Sequence, residues 1–135
     1  MNKVFVDTSG WIAIVNRSDA LHAAATRIYN ERLAAGWDFI THAGVMLEVG
    51  NGLSLVRFRH LAVRLKARID ASARIEVIPL TQDLYKAGWQ MYVDRPDKDW
   101  GIVDCISFVI MKERSLTEAL TADRNFQQAG FKKLL

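Results

Sequence analysis

Asp7 ends VFVD, Glu48 lies in GVMLEVG, Asp104 in WGIVDCISF and Asp123 closes EALTAD, so four acids interrupt four separate apolar runs. A carboxylate is expensive to place in such a run unless something neutralises it. Gathered at one place, four carboxylates repel and raise one another's proton affinity, and a hard cation relieves both effects. His22, His42 and His60 are scattered without zinc-type spacing, and Cys105 is the only cysteine. An oxygen-only ligand set selects Mg²⁺ or Mn²⁺ over zinc, as one or two ions per site. A divalent ion among acids lowers the pKa of bound water and stabilises charge on phosphate oxygens. The chemistry expected of the four acids is therefore hydrolysis of a phosphodiester. Each acid also has a structural reading: Asp7, Asp104 and Asp123 as helix caps, and Glu48 as half of an internal salt bridge.

The elements that must bring these acids together follow from the apolar pattern. KVFVD reads as a buried strand, and TSGWIAIVN as a helix with start signals at Thr8 and Ser9. Asp19 is placed to cap a helix through HAAATRIYNERLAAG, which Gly36 ends. Residues 37–40 form a second strand. Thr41 is expected to cap the helix that carries Glu48, and a long basic helix starts from about Ser54. Ile75 to Leu80 is a third strand, residues 81–92 a helix, and VDRPDKDWG a loop leading into the helix IVDCISFVIMKER. Leu116 to Thr121, DRNFQQAG and FKKLL give a fourth strand, a short helix and an edge strand. This alternation predicts an α/β fold with a central, mainly parallel sheet of four or five strands. In such sheets ligands bind beyond the carboxyl ends of the strands, where Asp7 and Asp123 fall.

The 135 residues are expected to form a single domain, 1–135, with no internal repeat. The absence of an apolar run of roughly 20 residues excludes a membrane span, and a lone cysteine suits a reducing cytoplasm. The formal charge of +3 conceals a concentrated basic stretch, RFRHLAVRLKARIDASAR over residues 57–74. Arg64, Lys66 and Arg68 within it are candidates for contacts to an RNA backbone. Trp100, in the polar loop before Asp104, is the tryptophan best placed to touch a substrate.

VFVDTSGWIAIVN, LEVGNG, DWGIVDCISFVIM and LTADRNFQQAGFKKLL together resemble PIN-domain ribonucleases of the VapC toxin type, nearly end to end. The resemblance implies a three-layer α/β/α fold and an acidic metal site that cleaves RNA. It assigns Asp7, Glu48, Asp104 and Asp123 to that site, with Asp99 as a further metal ligand, direct or through water. Thr8, Ser9, Asn51, Thr121 and Asn125 are implied as supporting polar groups around the acids. A cognate antitoxin and a homodimer are the implied partners. Two other classes remain open to test: a phosphoryl-accepting signalling domain, which lacks its usual adjacent acid pair here, and a noncatalytic RNA-binding domain.

Overall fold

In the computed structural model, which describes residues 2–135, five strands form one sheet in the order β3-β2-β1-β4-β5. They are β1 (Lys3–Val6), β2 (Asp38–His42), β3 (Ile75–Ile78), β4 (Glu118–Leu120) and β5 (Lys132–Lys133). Every pairing is parallel, with Val4 opposite Phe39, Phe5 opposite Ala119, Ile40 opposite Glu76 and Glu118 opposite Lys132. Parallel neighbours cannot be joined by tight hairpins, so helices must cross between them. The helices are α1 (Thr8–Val15), α2 (His22–Ala34), α3 (Ala43–Gly52), α4 (Arg59–Ala71), α5 (Gln82–Asp94), α6 (Ile102–Glu113) and α7 (Asn125–Gln128).

Packing sorts them into two layers: α1 meets α2, α3 and α4, whereas α5 meets α6, and α6 meets α7. The sheet lies between, giving the expected three-layer α/β/α architecture. Covered on both faces, β1 reads as an unbroken apolar run, and Val4, Phe5 and Val6 are fully buried. Phe5 of β1 stacks on Phe126 of α7, which Phe108 of α6 meets edge-on, with Trp100 edge-on against Phe108 in turn. Gly36 takes φ +85°, a left-handed conformation that lets α2 stop and the chain turn into β2. No helix among the described residues is long and apolar enough to cross a membrane.

The chain runs from β1 outward through β2 to β3, then returns to β4 on the other side of β1 and ends at β5. The direction of winding therefore reverses at β1 and β4, and the crevice at their carboxyl ends is where such sheets bind ligands.

Several local expectations are corrected. Strand β2 runs on to His42, so Thr41 is a buried strand residue whose hydroxyl donates to the Val6 carbonyl at 2.9 Å. His42 caps α3 instead, its Nδ1 accepting the Gly44 amide at 3.0 Å. The basic helix starts at Arg59, not Ser54, because residues 54–58 turn before it. Asp19 stands too early to cap α2; it accepts the Leu21 amide at 2.8 Å and shapes the turn ahead of it. Trp100 is a core residue, 6 % exposed, with its Nε1 donating to the Gln128 side chain.

Candidate metal centre

Asp7 sits where β1 becomes α1, at the helix's N-cap position, but its side chain makes no capping bond to the helix. It is aimed across at β4, where the Thr121 hydroxyl donates to Oδ2 at 2.9 Å. That one proton fixes the rest of the network. With its hydrogen committed to Asp7, Thr121 Oγ1 accepts from the Asp123 amide at 3.0 Å and from the Ser9 hydroxyl at 3.2 Å. Ser9 in turn accepts the Ala122 amide at 2.9 Å. The start of α1 is thereby tied to the segment after β4, and both acids of that crevice are held by one pair of hydroxyls.

Asp104 arrives from the first turn of α6, where Oδ2 accepts the Gly101 amide at 3.2 Å and the Asn125 side-chain amide at 3.1 Å. Asp123 Oδ1 accepts the Asn125 backbone amide at 2.9 Å, so Asn125 positions both acids at once. The capping readings for Asp104 and Asp123 are thus true of one oxygen each and leave the other available. One carboxylate oxygen from each of Asp7, Asp104 and Asp123 lies within 4.8 Å of the others, a group able to chelate a divalent ion. No lysine or arginine pairs with any of the three among the described residues.

Burial and mutual repulsion leave their mark on proton affinity. Asp7, 5 % exposed, is pushed up to about 7, chiefly by burial and also by the charges of Asp104 and Glu48; the Thr8 amide and Thr121 hydroxyl oppose the shift. Asp104 is also raised, first by burial and then by Asp123 and Glu48, against hydrogen bonds from Asn125 and Gly101. A buried carboxylate raised as far as Asp7 lacks compensating positive charge. Oxygen donors, close spacing and missing cations all fit a hard divalent ion.

The remaining candidates are placed differently. Glu48 is exposed on α3 and outside the three-oxygen group; Thr8 reaches it, Oγ1 donating to Oε1 at 2.7 Å. Its apolar neighbours suggested an inward side chain, but Leu47 beside it is 65 % exposed, so this edge of α3 faces out. Asn51 is exposed in the last turn of α3, and Asp99 is exposed in the loop before α6; neither bonds to the acids. Arg64 and Arg68 are exposed on α4, and Lys66 pairs with Asp70.

Sequence reasoning gave His42 no role in the site. Fully buried, it accepts the Gly44 amide at Nδ1, so Nε2 carries the proton and donates to Ser107 Oγ at 2.9 Å. Ser107 donates onward to the Val103 carbonyl at 2.9 Å. The helix carrying Glu48 is thus fastened to the helix carrying Asp104. Burial pushes His42 down to about 4, so the ring stays neutral and the tautomer fixed. A histidine two residues before a glycine was the available signal, since a Cβ at Gly44 would sit 2.8 Å from the ring.

Comparison with known proteins agrees with this arrangement. The PIN domain model matches residues 4–132. The 23S rRNA-specific endonuclease VapC20 of Mycobacterium tuberculosis is 31% identical over 128 residues, covering 95% of both chains. The crystal structure of VapC20, described as a sarcin-ricin loop cleaving toxin, superposes with a TM-score of 0.84 at 30% identity, again over 95% of each chain. VapBC2 from Rickettsia felis, bound to a promoter DNA fragment, gives a TM-score of 0.70 at 13% identity, covering 98% of this chain and 97% of that one. FitAcB from Neisseria gonorrhoeae gives 0.67 at 18%, covering 98% and 96%; these last two show a common fold alone. With the strand-end aspartate, the acid at the head of the buried helix and the acid after β4 gathered at one place, and with the match over nearly the whole length, the chain belongs to the PIN-domain family, among its VapC-type metal-dependent nuclease toxins.

Proposed function

We propose that this chain is the ribonuclease toxin of a toxin–antitoxin pair, hydrolysing RNA at a centre built from Asp7, Asp104 and Asp123, with Glu48 at its rim. The convergence of three carboxylate oxygens within 4.8 Å, unaccompanied by any paired cation, carries this reading. Mg²⁺ or Mn²⁺, as one or two ions, would be held by these acids and would supply an activated water and charge neutralisation for the phosphate. The chain's own part is positional. Thr121 and Ser9 orient Asp7 and the Asp123 backbone; Asn125 fixes Asp104 and Asp123 relative to each other. Glu48, exposed and bonded to Thr8, has a free oxygen at the mouth of the centre to accept a proton from an incoming water or to join the metal ligands. Asn51 is near enough in sequence to Glu48 to meet substrate at that rim, and Asp99, which lines a depression with Trp89, Tyr92 and Gly101, would join the ion through water.

The substrate of VapC20 makes large-subunit ribosomal RNA the first target to try. Incubating the protein with total cellular RNA is expected to yield discrete products in Mg²⁺ or Mn²⁺, none with EDTA, and full recovery when metal is restored. Cleavage that persists in EDTA at the same bonds would overturn the metal-centred reading and leave room for a noncatalytic RNA-binding role with contaminating activity.

An antitoxin and a second copy of the chain are the proposed protein partners. Two sets of exposed apolar side chains support this: Leu47, Leu55, Val56 and Val63 around α3 and α4, and Tyr85, Trp89, Tyr92 and Val93 on α5. Exposed apolar surface of this kind is what partner interfaces cover. Light scattering across a hundredfold concentration range is expected to give the mass of a dimer; a monomer throughout would reject the homodimer.

A further inference from the structure

We propose that a basic cavity between the end of α1, α2 and α4 is a second RNA-binding site, one that grips the phosphate backbone away from the scissile bond. This rests on the ribonuclease reading and adds to it. The cavity has a volume of about 720 Å³, and Arg17, Arg57, Arg64, Arg68, His22 and His60 line it without a single carboxylate. Its charge is uncompensated and concentrated: of the six arginines without a carboxylate partner among the described residues, four converge here, and only Arg59 and Arg124 lie outside the lining. Arg27, Arg32, Arg74, Arg95 and Arg114 each pair with an acid, whereas the four lining arginines have no carboxylate partner among the described residues. Lys66, on the same helix, turns to Asp70 and is not in the cavity's lining. Asn30 adds an amide to the wall.

Unpaired guanidinium groups converging on a concavity repel one another, and the repulsion is relieved by a ligand carrying several negative charges. Each guanidinium presents a planar fork that matches two oxygens of a phosphate. An RNA strand supplies such groups at regular spacing. The position is also consistent with a single bound strand. Helix α1 begins beside Asp7 in the metal centre and ends at Val15 in the wall of the cavity. Its eight residues span about 12 Å, the rise of about three to four stacked nucleotides. RNA held in the cavity would therefore lie within a few nucleotides of the acids. A contact so far from the reacting phosphate binds ground state and transition state alike, so its loss raises KM and leaves kcat in place.

The test is RNA binding measured against salt, with cleavage silenced by Asp7→Asn. The probe is a twelve-nucleotide single-stranded RNA. Changing Arg17, Arg57, Arg64 and Arg68 together to glutamine in that background is expected to reduce the slope of log K against log salt by about 3, given roughly 0.7 per neutralised single-strand phosphate. The pair Arg64→Gln and Arg68→Gln, exposed positions chosen to spare the fold, is expected to reduce it by about 1.4. Arg64→Lys with Arg68→Lys should keep the slope and lose part of the affinity, since charge survives and the fork does not. Arg27→Gln with Arg114→Gln, outside the cavity, serves as the control and should leave slope and affinity unchanged. In the cleaving protein, the glutamine pair should raise KM about tenfold with kcat retained. A slope equal to that of the control pair would overturn the proposal. So would loss of binding to a polyglutamate peptide with RNA binding intact, which would give the cavity to an acidic segment of a protein partner. Failure of the ribonuclease reading would appear separately, as absence of metal-dependent cleavage in the unmodified chain.

Discussion

Asp7→Asn is expected to reduce metal-dependent cleavage by about a thousandfold, the scale on which one preorganised charge acts at a transition state, while making the metal-free protein more stable. Both effects come from the same buried carboxylate. Its pKa rises from 3.8 in the unfolded chain to about 7 when folded, so its contribution to stability is complete below pH 3.8 and is lost as pH climbs through 7. The loss over that window is about 4 kcal/mol. His42 works in the opposite sense. Burial lowers it from 6.5 to about 4, so its contribution is complete above pH 6.5 and is lost as pH falls through 4, on the order of 3 kcal/mol. In metal-free wild type the slope from Asp7, reinforced in sign by the raised Asp104, offsets that from His42, so stability is not expected to rise between pH 4 and 7. Removing the Asp7 carboxylate leaves His42 opposed by Asp104 alone. The Asp7→Asn variant should gain stability from pH 4 to 7, by no more than about 3 kcal/mol, and, near pH 7.5, melt on the order of 10 °C above wild type. Mg²⁺ should raise the melting temperature of wild type and not of the variant, because only a folded state that binds the ion is stabilised by it. Thermal melts in EDTA across this pH range, repeated with Mg²⁺, check every part. A variant that melts no higher than wild type at pH 7.5 would show that Asp7 carries no cost for metal to relieve. Glu48→Gln is expected to be milder than Asp104→Asn or Asp123→Asn, since Glu48 is exposed and outside the three-oxygen group.

The positions that sequence resolved are those where one side chain's chemistry is decisive. Asp7 at the end of an apolar strand and Asp123 after another can be read because a strand ending in an acid is costly and the sheet's topology places both at one edge. The parallel sheet followed from the alternation of strands and helices along the chain, and the unbroken buried run VFV agrees with it. What sequence misjudged depends on orientation about a helix axis or on distant partners. Glu48 was expected to be drawn in from its apolar run to meet the other acids; it stays exposed beside Leu47, yet lies close enough for its charge to raise Asp7 and Asp104. Thr41 was favoured as a cap because threonine caps helices, and the β2 ladder claimed it instead, register with Val77 overriding local preference. Thr121 and Asn125 were expected beside the acids from the family resemblance; which acid each would reach needed the fold, since Thr121 bonds to a residue 114 positions away. For His42 only the local half was readable, its spacing to Gly44; its other partner, Ser107, lies 65 positions along the chain. The basic stretch was visible, but not that Lys66 departs from the line of Arg64 and Arg68, nor that Arg17 joins them from another element.

Gly10→Ala is expected to cost about 3 kcal/mol and most of the cleavage activity, although residue 10 carries no functional group. The reason lies in how α1 reaches the sheet. A Cβ at Gly10 would sit 2.2 Å from the Leu120 carbonyl oxygen and 3.1 Å from Val6 Cγ1. The first obstacle is backbone in a buried parallel strand, which has no rotamer to change, so the helix itself must lift. Lifting α1 from β4 separates the two segments that Ser9 and Thr121 join: the Ser9 bond to Ala122, the Ser9 contact with Thr121 and the Thr121 bond to Asp7 lie within one turn of the insertion. Asp7 would then lose its orienting hydroxyl while remaining at the end of a largely intact β1. Metal affinity should fall about 10- to 100-fold, as it does when a group orienting a metal ligand is removed. Gly50→Ala is the matched control, since it adds the same methyl on α3 with nothing within 4 Å and favours helix by about 1 kcal/mol. Thermal melts give the stability term, and titration of the melting temperature with Mg²⁺ separates weakened metal binding from simple loss of fold. If Gly10→Ala melts and binds Mg²⁺ like wild type, α1 is not held against β4 at the distance that Asp7 and Thr121 require, and the geometry assigned to the metal centre is wrong.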